Sequence, residues 1–284
     1  MPEQPVISVV MPHVSRSDLL RRTLVSLAIQ NDAPPFEVVV VNDAQRDEQL
    51  VSVCRDFRDR VNIRLFDTHR NYRFRGPAYP WNCAVQQARG QFILMQSPEC
   101  LHVGPVLRGM AELLGLLPRT VKPYYCCQCY ELQREDNRYL DEHQSLWTVP
   151  GDFLRRFGFP TRPCYVGPTN PRYFYFAAGM RRQDYIDLGG LDERFTHLAY
   201  EDDWFAFLTE RHGFCRQILG DSFFVLHQYH NKPNNSNQEH FQATSRMARL
   251  FQMLTNGVRA GLPPVANWGA QAWGQLPDHA EVEL

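Results

Sequence analysis

The stretch Phe36-Glu37-Val38-Val39-Val40-Val41 decides the fold, because a run this apolar predicts a strand that is covered on both faces of a sheet. A similar run, Val6-Ile7-Ser8-Val9-Val10-Met11, precedes it. Between the two, Ser17-Asp18 opens a segment in which leucines recur at helical spacing. The sequence therefore predicts a strand, a helix and a second strand in this order.

The same alternation continues along the N-terminal half of the chain. The next predicted elements are a helix from Asp47 to Phe57, a strand from Asn62 to Phe66, a helix from Trp81 to Ala88 and a strand from Gln91 to Met95. Repeated strand-helix-strand units predict an α/β fold with a mostly parallel central sheet, flanking helices and right-handed crossovers.

Composition narrows the class of protein. The chain has 284 residues, of which 44% are hydrophobic and 21% charged, so it is long enough to build a large core. Its net charge of −1 gives no indication of nucleic-acid binding. No apolar run reaches the length of a transmembrane segment, and the start from Met1 to Pro5 does not resemble a signal peptide. We therefore expect a soluble, cytoplasmic protein.

Three of the eight cysteines lie close together in Cys126-Cys127-Gln128-Cys129. Such crowding is compatible with a zinc site, but the paired Cys-x-x-Cys spacing typical of zinc sites is missing. The alternating aromatic and small residues from Lys122 to Leu132 favour a strand with reduced, buried thiols.

Polar residues follow three of the predicted strands. The segments are Pro12-His13-Val14-Ser15-Arg16, Asn42-Asp43-Ala44 and Gln96-Ser97-Pro98-Glu99. Turns and helix caps use the same residue types, so one such end alone has little weight. Ligands of open α/β sheets bind beyond the carboxyl ends of the strands, and three polar ends together predict a binding site there.

The C-terminal third contains a second group of reactive side chains. Gly189-Gly190-Leu191-Asp192-Glu193 is followed by Glu201-Asp202-Asp203-Trp204 and then by His227 and His230. Acids at a helix start can simply cap the helix, and a histidine after a strand can be structural. The combination is also what a general base and a metal ligand in one pocket require.

These segments resemble family 2 glycosyltransferases with the GT-A fold. The two opening strands, Asn42-Asp43, Gly76, Ala88-Arg89-Gly90 and the Gly-Gly-Leu-Asp-Glu to Glu-Asp-Asp segment carry the resemblance. It implies that residues near the strand ends bind the nucleotide-sugar donor. Trp81 replaces an arginine that often holds the diphosphate, and Arg73 or Arg75 could supply its charge. The implied donor-binding residues are Pro12, His13, Val14, Ser15, Arg16, Asn42, Asp43, Arg75, Asn82 and Ser97.

The resemblance also implies a divalent cation, Mn²⁺ or Mg²⁺, although the usual Asp-x-Asp motif is replaced by Ser97-Pro98-Glu99. Glu99 takes the position of the last acid, which usually bonds the metal directly. His227, with His230 close behind, matches the histidine that completes the metal shell in related enzymes. The alternatives are a solvated or helix-start carboxylate at Glu99 and structural histidines.

The acid triplet implies the catalytic base. Asp202 matches the residue that takes the proton of the acceptor hydroxyl, and the helix amides are expected to keep it ionised at neutral pH. Glu201 then orients the acceptor or binds a backbone group. Asp203 is a second candidate for the base, or a capping acid.

The resulting prediction is a metal-dependent, inverting glycosyltransferase that uses a nucleoside-diphosphate sugar, by family a UDP-sugar, and a glycan, glycoconjugate or other hydroxyl acceptor. One domain is expected over residues 1–260, with a nucleotide-sugar half at about 5–100, an acceptor half at 101–240 and an irregular tail at 261–284. A loop from Asn231 to Asn237 is either a lid or a plain surface loop. The alternatives are a non-catalytic protein of this fold and a nucleotidyltransferase, which would need a glycine-rich phosphate loop.

Overall fold

The computed structural model describes residues 3–30, 32–44, 47–69, 76–157, 164–167, 170–220, 222–231, 238–269, 273–277 and 280–284. The strands are β1 (Ile7–His13), β2 (Phe36–Asn42), β3 (Ile63–Asp67), β4 (Phe92–Gln96), β5 (Cys100–Val103), β6 (Pro123–Cys127), β7 (Cys129–Glu131), β8 (Cys164–Val166), β9 (Ala177–Arg181), β10 (Cys215–Leu219), β11 (Phe224–His227) and β12 (Glu281–Val282). The helices are α1 (Ser17–Ala28), α2 (Glu48–Phe57), α3 (Ala78–Gln87), α4 (Val106–Leu116), α5 (Arg134–Glu142), α6 (Pro150–Phe157), α7 (Arg182–Asp187), α8 (Glu201–Arg211) and α9 (Gln238–Arg259), with 3₁₀ turns at Gln144–Thr148 and Ala266–Gly269.

The central sheet has eight strands in the order β10-β6-β9-β4-β1-β2-β3-β12. β1 pairs in parallel with β2 and β4, β2 with β3, and β6 with β10, whereas β9 and β12 run antiparallel to their neighbours. The valines of β2 are fully buried, as their uninterrupted apolar run predicts. The predicted α/β class with a mostly parallel sheet is confirmed.

A second sheet, with the order β5-β11-β7-β8, lies beside the first. β11 pairs antiparallel with β5, which sets His227 opposite Cys100, and pairs in parallel with β7. The sequence prediction missed β5, and the helix that follows it, α4, begins at Val106. The predicted strand from Lys122 to Leu132 is two strands, because the chain changes sheets between Cys127 and Cys129.

The cysteines that the structure describes with their side chains are free thiols, and all but Cys215 are buried. Burial raises the pKa of the Cys126 thiol to about 12, so this group stays protonated. Among the described residues, the cysteines form no group of three potential metal ligands. The interpretation of the Cys126 to Cys129 segment as strand, with buried reduced thiols, agrees with this arrangement.

The C-terminal segment returns to the body of the domain. Trp273 is buried, and its ring centroid lies 6.0 Å from that of Tyr185. β12 then adds a two-residue antiparallel edge to β3. Apart from β12 and the turn at Ala266–Gly269, the described part of this segment has no regular structure. Within the described residues, no helix combines the length and apolarity needed to cross a membrane. The division into donor and acceptor halves stays a prediction.

Candidate active site

Glu99, His227 and His230 converge at one point, although they are far apart in the sequence. The Nε2 atoms of both histidines lie 3.5 Å from Oε1 of Glu99. One potential ligand atom from each residue lies within 4.8 Å of the others. The pairing of β5 with β11 causes this convergence, because the Gln228 amide donates to the Glu99 carbonyl at 3.0 Å.

Two buried or half-buried amides hold the segment that carries the histidines. Gln228 is fully buried, and its Nε2 donates to the carbonyls of Leu19, at 3.1 Å, and Glu99, at 3.2 Å. Asn137 of α5 donates to the Tyr229 carbonyl and accepts from the Tyr229 amide. The backbone between His227 and His230 is therefore fixed from both sides. The sequence analysis missed both residues, since these contacts span about ninety residues or more.

The charge of Glu99 is stabilised although the side chain is only 7% exposed. Burial raises the pKa of this carboxyl, but hydrogen bonds to His227 and His230 and the charge of Arg16 outweigh burial and hold the pKa well below its ordinary value. Nη1 of Arg16 donates to Oε1 of Glu99 at 2.8 Å. The group is therefore a carboxylate at neutral pH, as a cation ligand must be.

This set of side chains fits a divalent cation. One carboxylate and two imidazoles within 4.8 Å of one another need only a small contraction around an ion. Imidazole nitrogen favours Mn²⁺ and related transition metals over Mg²⁺, which prefers oxygen ligands. Of the two cations that the sequence prediction allowed, Mn²⁺ suits these residues better.

The polar ends of β1, β2 and β3 meet at one edge of the central sheet, and Arg16 in the loop after β1 reaches Glu99. The Asp43 amide donates to the His13 carbonyl at 2.8 Å, and Oγ1 of Thr68 donates to Oδ1 of Asp43 at 2.7 Å. Asn42 donates to Asp67 at 2.6 Å. His13 is buried, which lowers its pKa, and its Nε2 lies 3.2 Å from the Ser17 hydroxyl. Val14 and Ser15 are exposed, and Pro12 is half-buried.

Two further predicted donor contacts are Arg75 and Ser97, of which only Ser97 lies within the residues that the structure describes. Arg73 and Arg75 lie outside the described residues, as do positions 232–237 of the predicted lid. Ser97 contributes a backbone turn, in which its carbonyl accepts from the Cys100 amide at 2.9 Å. The donor-binding role of Ser97 stays a prediction.

Asn82 belongs to the scaffold rather than to the surface of the donor site. It is fully buried, and its Oδ1 accepts from the Tyr185 hydroxyl and the Leu191 amide. Its Nδ2 donates to the Leu191 carbonyl and to Glu193. These four bonds use the full hydrogen-bonding capacity of the amide, so the predicted nucleotide contact does not fit this position.

Replacing Asn82 with alanine is expected to destabilise the protein by about 2–4 kcal/mol, because several buried polar groups lose their partner. Urea unfolding monitored by tryptophan fluorescence measures this loss. Asn256→Ala, on an exposed position of α9, is the matched control and is expected to stay within about 0.5 kcal/mol of the unaltered protein. Equal stabilities of the two variants would contradict the scaffold role.

The three acids begin α8, directly after two residues with unusual backbone angles. Ala199 and Tyr200 have φ values of 137° and 67°. The Glu201 carboxylate accepts from the Ala199 amide at 2.8 Å, and the Tyr200 ring stacks on Phe251 of α9 at 5.7 Å between centroids. These contacts hold a strained turn that directs the start of α8.

The Gly-Gly-Leu-Asp-Glu motif contacts the first turn of this helix. Oδ2 of Asp192 accepts from Nε1 of Trp204 at 3.1 Å, and Asp192 also forms an ion pair with Arg194. Trp204 is only 1% exposed, so it belongs to the core. Gly190, with φ 72°, lies where a side chain would meet Asn82 and Trp273.

Burial raises the pKa of all three acids of α8, which the sequence prediction did not anticipate. Burial, then the charge of Asp203, raises the pKa of Asp202 to about 7. Burial, then the charge of Asp202, raises the pKa of Glu201 to about 8. The backbone N–H groups at the helix start favour the charged forms but do not compensate for desolvation and mutual repulsion. The charge of Arg172 opposes this rise in pKa at Asp202 and Asp203, and the sequence analysis did not identify this arginine.

A cavity of about 490 Å³ lies beside the two histidines. Its lining comes from the ends of β7 and β11 and from the segment after β11: Glu131, Leu132, Gln133, His227, Gln228, Tyr229, His230 and Asn231. On another side, the Phe176 ring packs edge-on against His227 at 5.3 Å between centroids. The two histidines therefore line an open cavity, and His227 also packs against an aromatic ring.

Comparison with known sequences gives consistent matches. The model described as Glycosyl transferase family 2 matches residues 8–189. Validoxylamine A glucosyltransferase of Streptomyces hygroscopicus subsp. limoneus is 27% identical over 306 residues, which cover 95% of this chain and 65% of that protein. Poly(ribitol-phosphate) beta-N-acetylglucosaminyltransferase TarS of Staphylococcus aureus (strain Mu50 / ATCC 700699) is 36% identical over 89 residues, 31% of this chain and 15% of that protein. The chain thus spans just under two thirds of the first relative.

Solved structures confirm the GT-A fold. A crystal structure of S. aureus TarS matches with a TM-score of 0.59 and 19% identity over 91% of this chain and 67% of that one. Mannosyltransferase PcManGT from Pyrobaculum calidifontis, in complex with GDP-Man and Mn²⁺, matches with a TM-score of 0.56 and 18% identity, over 92% of this chain and 67% of that one.

Proposed function

Since the chain belongs to glycosyl transferase family 2, we propose that it transfers a sugar from a nucleoside-diphosphate sugar to a hydroxyl acceptor with the help of a divalent cation. The observation that carries the proposal is the convergence of Glu99, His227 and His230 within 4.8 Å, next to Arg16 of the loop that follows β1. The buried acids of α8, with raised pKa values, supply a candidate base. Family membership alone would not distinguish an active enzyme from a binding protein.

UDP is the proposed nucleotide. Structures of S. aureus TarS in complex with UDP and with UDP-GlcNAc share the fold of this chain. Asp43 at the end of β2 and the loop from Pro12 to Arg16 are the proposed contacts to the base and ribose. A glycan or glycoconjugate is the proposed acceptor, since both supply the hydroxyl that a base can activate.

Asp202 is proposed to take the proton of the acceptor hydroxyl as its oxygen attacks the anomeric carbon from the face opposite the leaving group, which inverts the configuration. The bond between the anomeric carbon and the diphosphate breaks, and the diphosphate leaves with its electron pair. Glu99, His227 and His230 would hold the cation, which, when bound, neutralises charge that develops on the diphosphate. Glu201 is proposed to orient the acceptor, and Asp203 to set the pKa of Asp202.

The rate of transfer is expected to rise with pH through a limb near 7, because the raised pKa of Asp202 leaves much of the base protonated below that value. Asp202 and Glu201 interact, so the limb belongs to the pair. Glu201→Gln removes the coupled partner and is expected to leave a single limb that is set by Asp202 alone. Measuring kcat from pH 5.5 to 9 tests this, and a flat profile in the unaltered protein would count against a base on α8.

A panel of nucleotide sugars tests the function itself. The protein is incubated with each sugar and Mn²⁺, and release of the nucleoside diphosphate is followed with and without EDTA. The expected result is release with at least one donor that EDTA abolishes and Mn²⁺ restores. Tight donor binding without release or transfer for any donor and acceptor would instead support a non-catalytic binding protein, which the altered metal motif at Ser97-Pro98-Glu99 makes the second candidate.

A further inference from the structure

Arg16 competes for the carboxylate oxygen that the proposed metal site needs. Its Nη1 lies 2.8 Å from Oε1 of Glu99, the same atom that lies 3.5 Å from each of the two histidine Nε2 atoms. A transition-metal ion would bind that oxygen at about 2.0–2.2 Å. The guanidinium nitrogen and the ion would then be separated by no more than about 5 Å. Two cations at this separation repel each other strongly in a mostly buried site.

The backbone at Arg16 gives an independent reason to look for a function. Arg16 has φ 89°, in the left-handed region that glycine or asparagine adopts at lower cost. Its carbonyl accepts from the amides of Leu19 and Leu20 at 3.0 and 3.1 Å, so the backbone is anchored at the head of α1. The side chain remains 33% exposed. A strained position that carries a long cationic side chain beside a buried carboxylate suggests that this side chain has a functional role.

We propose that Arg16 is the counter-ion of Glu99 when no metal is bound, and that it turns to the diphosphate of the donor when metal and donor bind together. This inference rests on the proposed function. A diphosphate brings enough negative charge to neutralise both the metal and the guanidinium, and guanidinium binds phosphate oxygens in a bidentate manner. The repulsion between Arg16 and the metal is thus relieved only when the nucleotide is present.

The consequence is a coupling between metal and nucleotide. Mn²⁺ alone binds weakly, because it must displace or tolerate Arg16, and UDP strengthens Mn²⁺ binding. The reciprocal effect on UDP binding must have the same size. Arg16 also supplies a cation for the diphosphate in a chain that has Trp81 where related enzymes often have arginine.

Titration of Mn²⁺ into the protein, with free Mn²⁺ followed by electron paramagnetic resonance, tests the coupling with and without UDP. In the unaltered protein, UDP is expected to tighten Mn²⁺ binding by about 5–150-fold. Arg16→Gln is expected to bind Mn²⁺ alone on the order of tenfold more tightly than the unaltered protein. In the same variant, UDP is expected to strengthen Mn²⁺ binding much less.

Two further variants serve as controls. Arg16→Asn removes the same charge and suits the left-handed backbone, so it is expected to behave as Arg16→Gln does. Arg21→Gln removes an exposed arginine of the same helix, which pairs with Asp56 at 2.6 Å, and is expected to leave both affinities unchanged.

The possible outcomes separate the two proposals. If both Arg16 variants bind Mn²⁺ alone no more tightly than the unaltered protein and keep the full effect of UDP, the role of Arg16 is wrong and the metal site stands. If the unaltered protein binds no Mn²⁺ even with UDP, the metal site is wrong, and the role of Arg16 is overturned with it.

Discussion

Asp202→Asn is expected to lower the rate of sugar transfer by about 10²–10⁴-fold, which is the usual contribution of a general base. Asparagine has nearly the same shape but no basic oxygen at neutral pH. Asp202 lies at the start of α8, where burial and the charge of Asp203 raise its pKa toward neutrality. The measurement is kcat at saturating donor and acceptor, together with the dissociation constant for UDP and Mn²⁺, which is expected to stay unchanged.

Asp203→Asn is the matched control for this prediction. Asp203 is half-buried on the same helix, and its pKa is also raised by burial. Its replacement removes a repulsive charge beside Asp202, so we expect a moderate change in rate and a pH limb at lower pH. If Asp202→Asn retained full activity while Asp203→Asn lost it, the base would be Asp203.

Glu99→Gln is expected to weaken Mn²⁺ binding and to lower the rate of transfer by more than about 100-fold each, since loss of outer-shell partners alone costs 10–100-fold in metal sites. The change keeps the size of the side chain and removes the charge that His227, His230 and Arg16 surround. Isothermal titration with Mn²⁺ in the presence of UDP gives the affinity, and thermal unfolding shows whether the variant is folded.

Glu131→Gln is the control for this variant, because Glu131 lines the cavity beside His227 and His230 but does not belong to the group of three ligands. It is expected to keep Mn²⁺ affinity. Equal Mn²⁺ affinity of Glu99→Gln and the unaltered protein would mean that the cation binds elsewhere. Loss of affinity in both variants would indicate a general effect of cavity charge rather than a bond to Glu99.

The sequence predicted those parts of the fold that local patterns determine. The buried strands β1, β2 and β4 and the helix α1 follow from apolar runs and helical spacing. Helix α5 was missed because its sequence is mostly charged and polar, and Leu140 is its one fully buried apolar side chain. The second sheet was missed because its register depends on pairing between distant strands.

The candidate site also contains residues that the sequence predicted and contacts that it did not. Glu99, His227 and the acids of α8 were found through residue type and family pattern. The ion pair of Arg16 with Glu99 joins positions 83 residues apart, and no local signal predicts it. The raised pKa of Asp202 was not anticipated, because a helix start is visible in a sequence, whereas the burial of that carboxyl in the folded domain is not. Asn82 was assigned to the donor for a similar reason, since its four internal bonds form only on folding.

The most direct test of the account is a crystal structure of the protein with Mn²⁺ and UDP, with data collected at the manganese absorption edge. The account predicts an anomalous peak bonded to Glu99, His227 and His230, with the UDP diphosphate on the ion and the base and ribose near Asp43. An anomalous peak away from all three side chains, with UDP bound, would contradict it.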